Sequence, residues 1–311
     1  PVVRADVRPV VIEREFGAPR DLGAMLGVLS RGAGDPAYQR GPGGEIWLTG
    51  VCADGPVSMR LRPSATAVSA QFWGDGSQWA AEHVDDILGG VDDPTGFVPV
   101  HAPIDRQWRR YRDTLRVPRT LLTWQIAVAA VLEQRVTGVE ARGAWRGLVA
   151  EHGTTAPGPV PDRMRVPPTP AEVLQVPSWD WRRYGVDRQR IATVREVARS
   201  AHLLVRAESL PPAQGRDLLT AIPGVGQWTA AEISSRAFGD ADAVSVGDYH
   251  LARNVTFALT GRTDGTDEDM LELLAPYAGH RHRAVRLIEL AGSAPPRHGP
   301  RMRLPGPRRI R

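Results

Sequence analysis

Leu218-Leu219-Thr220-Ala221-Ile222-Pro223-Gly224-Val225-Gly226-Gln227-Trp228-Thr229-Ala230-Ala231 is the most informative segment of this 311-residue chain. An apolar run of helical character ends at Ile222 against Pro223, passes Gly224 and Gly226, both free to take positive φ, and restarts as a helix over Gln227 to Phe238. The first amides of that second helix lack intrahelical acceptors and have the positive end of its dipole behind them. Pro223, Gly224, Val225, Gly226, Gln227 and Thr229 therefore make a candidate phosphate-binding hairpin that needs no basic side chain. A tight connection between two antiparallel helices uses the same Pro-Gly-x-Gly pattern, so the hairpin alone leaves both readings open.

The next segment, Ala243-Val244-Ser245-Val246-Gly247-Asp248-Tyr249-His250-Leu251, favours the first of them by putting Asp248 at a helix start a short loop later. A carboxylate held near a phosphate-anchoring hairpin can face the sugar of a nucleotide pulled from the DNA stack. As a glycosidic bond breaks, the sugar gains oxocarbenium character, and a fixed anion stabilises that charge while orienting water for attack. An Asp at a helix start is also an ordinary N-cap; the two roles are compatible.

Outward from this region, apolar residues recur at helical spacing from Ile104 onward, as with Ile191, Val194, Val197, Ala198, Ala201 and Leu204, so the second half is predicted to be all helical. Thr169, Pro170 and Glu172 form a helix start, with a capping hydroxyl, proline at the first position and a returning carboxylate. The proline-rich stretch Thr154 to Pro170 reads as an exposed connection. Before Pro99, short β-like runs (Val10 to Phe16, Ile46 to Val51, Val57 to Leu61, Ala67 to Phe72) alternate with turns, and Arg20 to Ser30 and Ser77 to Leu88 look helical. The expected fold class is α+β. A small N-terminal antiparallel sheet domain covers residues 1–100, a two-lobed all-helical domain 101–292, and a disordered basic tail 293–311.

With 42% hydrophobic and 24% charged residues the chain can bury a large core. It has no eighteen-residue apolar run and no basic-then-apolar start, so neither a membrane span nor a signal peptide is expected, and the predicted location is cytoplasmic, on the nucleoid. A lone Cys52 cannot build an internal disulfide, a cysteine zinc site or an iron-sulfur cluster. The net charge is +4, but six arginines (297, 301, 303, 308, 309 and 311) follow Gly292 without an acid, and taking them away leaves the rest at −2. Net charge alone therefore does not point to nucleic acid. All 39 basic residues are arginine; the sequence contains no lysine.

The hairpin together with Asp248 resembles the helix-hairpin-helix DNA glycosylase superfamily, with its Gly/Pro-rich loop and catalytic aspartate, and within it the bacterial DNA-3-methyladenine glycosylase II family. The similarity extends to Leu132-Glu133-Gln134-Arg135-Val136-Thr137, like the loop that fills the hole left by a flipped base, and to Asp35-Pro36-Ala37-Tyr38 in the N-terminal part. The resemblance implies that Asp248 is the catalytic carboxylate, that Gln134 or Arg135 is the wedge, with Arg135 preferred, and that Trp228, Glu232 and Tyr249 belong to the base pocket, Trp228 stacking on the base. Relatives with broad alkylbase specificity line the pocket with several electron-rich aromatics. Here Glu232 stands where another aromatic is expected, and the final helix offers Arg283, Arg286 and Glu289 in place of a tryptophan. Glu232 then either pairs with a cationic methylated purine, hydrogen-bonds a purine edge, or lies on a solvated helix face.

The resemblance also implies a monovalent cation at the hairpin carbonyls. No cofactor is expected to be required and no catalytic metal is predicted, since the eight histidines, His280 and His282 included, show no metal spacing. Bifunctional relatives attack the sugar with a lysine near the hairpin; Trp228 occupies that position here, and the one other amine, that of Pro1, has no evident tie to the pocket. Water is thus the expected nucleophile. Trp108, Trp124, Trp145, Trp179 and Trp181 are expected in the core. Arg106, Arg109, Arg110, Arg112, Arg116 and Arg119 are placed on a helix facing either phosphates or solvent.

The expected function is that of a monofunctional base-excision glycosylase, acting as a monomer on double-stranded DNA. It flips and hydrolytically removes a damaged, alkylated purine and leaves an abasic site. The rivals are an enzyme for deaminated or oxidised bases on the same scaffold and a non-catalytic DNA-damage-binding protein.

Overall fold

The computed structural model describes residues 8–296. Pro1 and the arginines of the tail lie outside the described residues, as does most of the stretch expected to be disordered; residues 293–296 have no regular structure.

The first part is an antiparallel sheet of β1 (Val10–Glu15), β2 (Tyr38–Arg40), β3 (Ile46–Cys52), β4 (Gly55–Pro63) and β5 (Ala67–Trp73), in the order β1-β5-β4-β3-β2. Four of these strands follow the alternating runs. The fifth, β2, has only three residues, too few to show a period, and is held by pairing Tyr38 with Leu48 and Arg40 with Ile46. One sheet face carries Val57, Met59, Leu61, Val68, Ala70 and Phe72 into the main core, against α1 (Leu22–Leu26), α2 (Ser77–Glu82) and α3 (Val84–Ile87).

Helices dominate from α4 (Ala102–Tyr111) onward. The centre is α5 (Thr123–Leu132), TWQIAVAAVL, in which every residue is buried; a helix apolar on all sides must be enclosed on all sides. It is followed by α6 (Gly138–His152), whose start is a capping box of Thr137 and Glu140. The second half is not all helical. Residues 154–155 (β6) pair with 165–166 (β7), and the segment between them carries Ala156, Val160 and Met164 onto Trp47 and Trp73, whose rings stack 5.7 Å apart. The predicted exposed connection is instead a lid on the outer sheet face, because two tryptophans there need apolar cover.

Next come α7 (Pro170–Gln175), with the predicted Thr169/Glu172 capping box and Pro170 at its start, α8 (Ser178–Arg183), α9 (Arg188–Arg199) and α10 (Ala201–Glu208). Ser200 leaves helical geometry (φ −95°, ψ 19°), so the apolar run from Ile191 to Leu204 is two helices. The chain continues through α11 (Pro212–Leu219), α12 (Gln227–Ala237), α13 (Leu251–Thr260), α14 (Asp267–Leu274) and α15 (Arg281–Leu290). Among the described residues, no helix is long and apolar enough to cross a membrane.

Two further expectations change, and one quoted residue acquires a structural role. α4 ends at Tyr111, so Arg112, Arg116 and Arg119 lie beyond it; Arg119 bonds the Glu208 carbonyl at 2.7 Å instead of facing outward with the others. Trp179 is 73% exposed on α8, whereas Trp124, Trp145 and Trp181 are buried as expected. Asp35 is a structural joint: it accepts from the amides of Arg31 (2.6 Å) and Ala37 (2.9 Å) and from the Trp145 indole (2.9 Å), tying the sheet half to α6. Burial pushes its pKa up, and these donors offset that only in part.

Candidate active site

The hairpin joins α11 to α12. α11 stops at Leu219, three residues before the predicted Ile222, and the chain crosses by turns in which the Val225 amide bonds the Ile222 carbonyl at 2.9 Å. Ile222 and Val225 are buried and root the loop, while Pro223, Gly224 and Gly226 are exposed. Only one glycine has the expected positive φ. Gly224 sits at +87° with a virtual Cβ inside the Thr193 side chain; Gly226 sits at φ −88°, ψ −177°, with nothing within 4 Å of a Cβ. Folding thus requires glycine at 224, whereas at 226 it leaves open space outside the protein. The first intrahelical bond of α12 runs from Ala230 N to Gly226 O (2.9 Å), leaving the amides of Gln227, Trp228 and Thr229 ahead of it.

Gln134 and Thr229 turn out to bond each other. The Gln134 Nε2 donates to the Gly224 carbonyl (3.0 Å) and to Thr229 Oγ1 (2.9 Å), so both side chains clamp the α5–α6 turn onto the hairpin instead of facing outward. Arg190 braces the same turn, donating to the Leu132 carbonyl at the end of α5 (2.9 Å) and to Asp187 (2.6 Å). Arg135, next in the chain, is exposed and takes φ +54°, a conformation that non-glycine residues adopt at a cost.

Asp248 lies just ahead of α13, and its carboxylate is fully engaged. Oδ1 accepts from the amides of His250 (2.8 Å) and Leu251 (2.9 Å), and Oδ2 from the indole N–H of Trp228 (3.0 Å). The N-cap position of α13 is His250, so Asp248 caps the turn just before the helix and not the helix itself, and this leaves its carboxylate fixed in place. The Trp228 contact passes directly from the hairpin helix to the carboxylate.

Beside Asp248 opens a pocket of about 210 Å³ between α12, α13 and α15. Glu232 lines it and is not on a solvated face: one carboxylate oxygen accepts from Ser245 Oγ (2.5 Å), the other pairs with Arg236 (2.7 Å). Burial opposes the Arg236 charge, but Glu232, with Glu133 and Glu289 more weakly, outweighs it and raises its pKa. On the facing helix Arg286 pairs with Glu289 and donates to the Ala24 carbonyl (2.9 Å). His282 also lines the pocket; burial first, then Arg286, Arg236 and Arg283, pushes its pKa well below the ordinary value, so the ring is neutral at pH 7.

Two expected pocket residues do not line it. Tyr249 is 76% exposed, packed edge-on to His250 (4.7 Å) with the Arg253 guanidinium over its ring (5.6 Å). Trp228 stands behind Asp248, its indole N–H committed to the carboxylate. Arg283 turns the other way into a buried pair with Asp92 (2.6 and 2.9 Å). Sequence reading missed Arg236, Ser245 and His282. The one available signal was the i,i+4 spacing of Glu232 and Arg236 on the hairpin helix. A separate group, Glu151, His152 and Asp180, brings three metal-capable side chains together, but Arg183 already bonds both carboxylates.

No family model matches the chain. A segment of 139 residues, 44% of the chain, is 34% identical to the "Probable bifunctional transcriptional activator/DNA repair enzyme AlkA" of Mycobacterium tuberculosis, and spans only 27% of that protein's length. Among solved structures, the 3-methyladenine DNA-glycosylase from Archaeoglobus fulgidus superposes with a TM-score of 0.72 at 16% identity, covering 90% of this chain and 98% of that one. The 8-oxoguanine glycosylase/lyase of Clostridium acetobutylicum, bound to double-stranded DNA, gives 0.60 at 11% identity over 90% and 98%. The α+β fold, a small antiparallel sheet followed by helices around a Gly/Pro hairpin, is the fold of these helix-hairpin-helix DNA glycosylases.

Proposed function

We propose that this chain is a monofunctional DNA glycosylase that binds duplex DNA, turns a damaged purine into the pocket beside Asp248 and hydrolyses its glycosidic bond. The observation that carries this reading is the placement of Asp248. A carboxylate held by three donors stands between a purine-sized polar pocket and a helix start with free amides. The amides of Gln227 and Trp228 would hold a backbone phosphate across the space left by Gly226. Arg135 would fill the vacated base position, with Gln134 holding its turn in place.

In the chemical step the bond from C1′ to the base breaks with its electron pair leaving on the base, and the Asp248 carboxylate stabilises the oxocarbenium sugar. A water oxygen bonds C1′, and the proton it sheds passes to the carboxylate and on to solvent. The residues of this chain include no lysine to form a Schiff base, so the product is an intact abasic site. A cation at the hairpin would rest on backbone carbonyls; those of Ile222 and Gly224 already accept hydrogen bonds, and no step depends on it. Alkylated purines are the first class to assay, because a neighbour of the same fold is a 3-methyladenine DNA-glycosylase.

The test is release of free base from methylated duplex DNA, compared with Asp248→Asn. The variant should bind duplex normally and lose base release by on the order of 100-fold or more, the scale of one focused electrostatic contact. Excision at the wild-type rate by this variant would remove Asp248 from the mechanism.

A further inference from the structure

The pocket departs from one built for a positively charged base. None of the residues lining it is Trp, Tyr or Phe, so a cationic ring finds none of the large electron-rich faces that favour it, only the smaller imidazoles of His250 and His282. Two guanidiniums, Arg236 and Arg286, face the space, each balanced by a carboxylate, Glu232 and Glu289. The ring of His282 beside them is neutral. With Asp248, whose oxygens are held by three donors, the lining carries three carboxylates against these two guanidiniums, so hydrogen-bond pattern and not net charge must do the selecting.

We infer that Glu232, Arg236 and Arg286 read the flipped base by hydrogen bonds, and that the pocket selects a neutral oxopurine, one carrying an exocyclic carbonyl beside a ring N–H, over a cationic N-alkylated purine. The inference rests on the glycosylase reading above and concerns which damaged purine is taken. A guanidinium donates to the carbonyl and a carboxylate accepts the ring N–H, both charge-assisted contacts. Ser245 aims Glu232 by donating to it at 2.5 Å, and the backbone carbonyls of Val28 and Glu232 anchor Arg236 at 3.3 and 2.9 Å. The leaving group gives a second, independent reason. When the bond from C1′ to N9 breaks, a neutral base departs with the electron pair as an anion, facing two arginines that stabilise the developing charge. It then takes up one proton while the water's oxygen and other proton stay on C1′, so the base leaves neutral. A cationic base departs neutral without that help and gains nothing from the arginines.

The experiment uses the full chain on three duplexes with a single lesion: hypoxanthine (neutral, with carbonyl and N–H), 7-methylguanine (cationic, with the same two groups) and 1,N6-ethenoadenine (neutral, no carbonyl). The readout is single-turnover base release divided by the spontaneous rate for each lesion. Hypoxanthine should be accelerated at least tenfold more than either of the others. Glu232→Gln should lower the hypoxanthine value at least tenfold with affinity for undamaged duplex unchanged, and Ser245→Ala should shift it the same way by less. A larger acceleration on 7-methylguanine or ethenoadenine, or an order of preference unmoved by both variants, overturns the inference while leaving the glycosylase reading standing. Release from none of the three overturns both.

Discussion

Two stretches of α12 sit little more than a turn apart and are built in different ways. At its start, residues 226–229 work through the backbone: amides ahead of the first helical bond, a neighbouring glycine with φ +87°, and open space beside Gly226. One turn on, Glu232 and Arg236 work through side chains whose partners come from distant segments, Ser245, Val28 and the facing α15. The first device is local and tolerates little change in backbone; the second is a charge arrangement that other side chains could replace without refolding the helix. The hairpin therefore marks the fold shared with the glycosylase neighbours, and the pocket marks what is particular to this chain.

The sharpest way to break that contrast is to put threonine at each hairpin glycine. At Gly224 a β-branched side chain meets both a left-handed backbone and Thr193, which together should cost about 4 kcal/mol of stability. At Gly226 threonine is a competent N-cap in open space and should leave the melting temperature nearly unchanged, yet weaken binding to any duplex, damaged or not, by about tenfold. Equal affinity for duplex in Gly226→Thr would mean that no phosphate approaches there.

The same contrast explains what a single sequence disclosed. The hairpin, the Thr169 cap, four strands and Asp248 were legible because each is specified within a few residues. The pocket was not: that Glu232 turns inward, that Arg283 turns away to Asp92, and that Tyr249 stays outside are set by tertiary packing between segments far apart in the chain. The Thr154–Pro170 segment was misread for a related reason, since its apolar residues are spaced by the shape of the Trp47–Trp73 surface, not by any helical or strand period.

Two half-buried carboxylates sharpen the difference. Glu232 has Arg236 and Ser245. Glu208, on α10 behind the first hairpin helix, is pushed by burial to a pKa of about 7, with Arg119 and Thr123 only partly offsetting it. Its folded pKa lies above the ordinary carboxylate value, so the folded state holds a proton that the unfolded state releases, and stability falls as pH rises from about 4.5 through about 7. The drop amounts to about 3 kcal/mol. Denaturant unfolding at pH 4 and pH 8 should show Glu208→Gln equal to wild type at the low pH and more stable at the high pH. An unchanged gap between the two pH values would mean that Glu208 does not titrate there.

Trp228 is the bridge between the two regions, and Trp228→Phe keeps the ring while removing the donor to Asp248. Losing one of three hydrogen bonds to the carboxylate should slow base release about tenfold, roughly 1.4 kcal/mol, with duplex affinity and KM unaffected. A rise in KM at constant kcat would instead place the ring against the base, as the sequence resemblance implied.

The smallest effect concerns the wedge turn, where hairpin and duplex would meet. Gln134 is spent on the hairpin, leaving Arg135 exposed at φ +54°. A left-handed arginine costs about 1 kcal/mol relative to glycine, which has no Cβ to clash with the carbonyl. The fold gains nothing visible in return, since the side chain points away from the core; strain at an exposed residue that survives in the sequence suits a side chain required elsewhere. Arg135→Gly should therefore raise the unfolding free energy by about 1 kcal/mol while lowering base release from a duplex and leaving release from single-stranded DNA unchanged, because only a duplex has a hole to fill. The two readouts must move in opposite directions. If stability and duplex excision both fall, Arg135 is holding the turn together and the wedge lies elsewhere; if excision is unchanged, the flipped state does not need it.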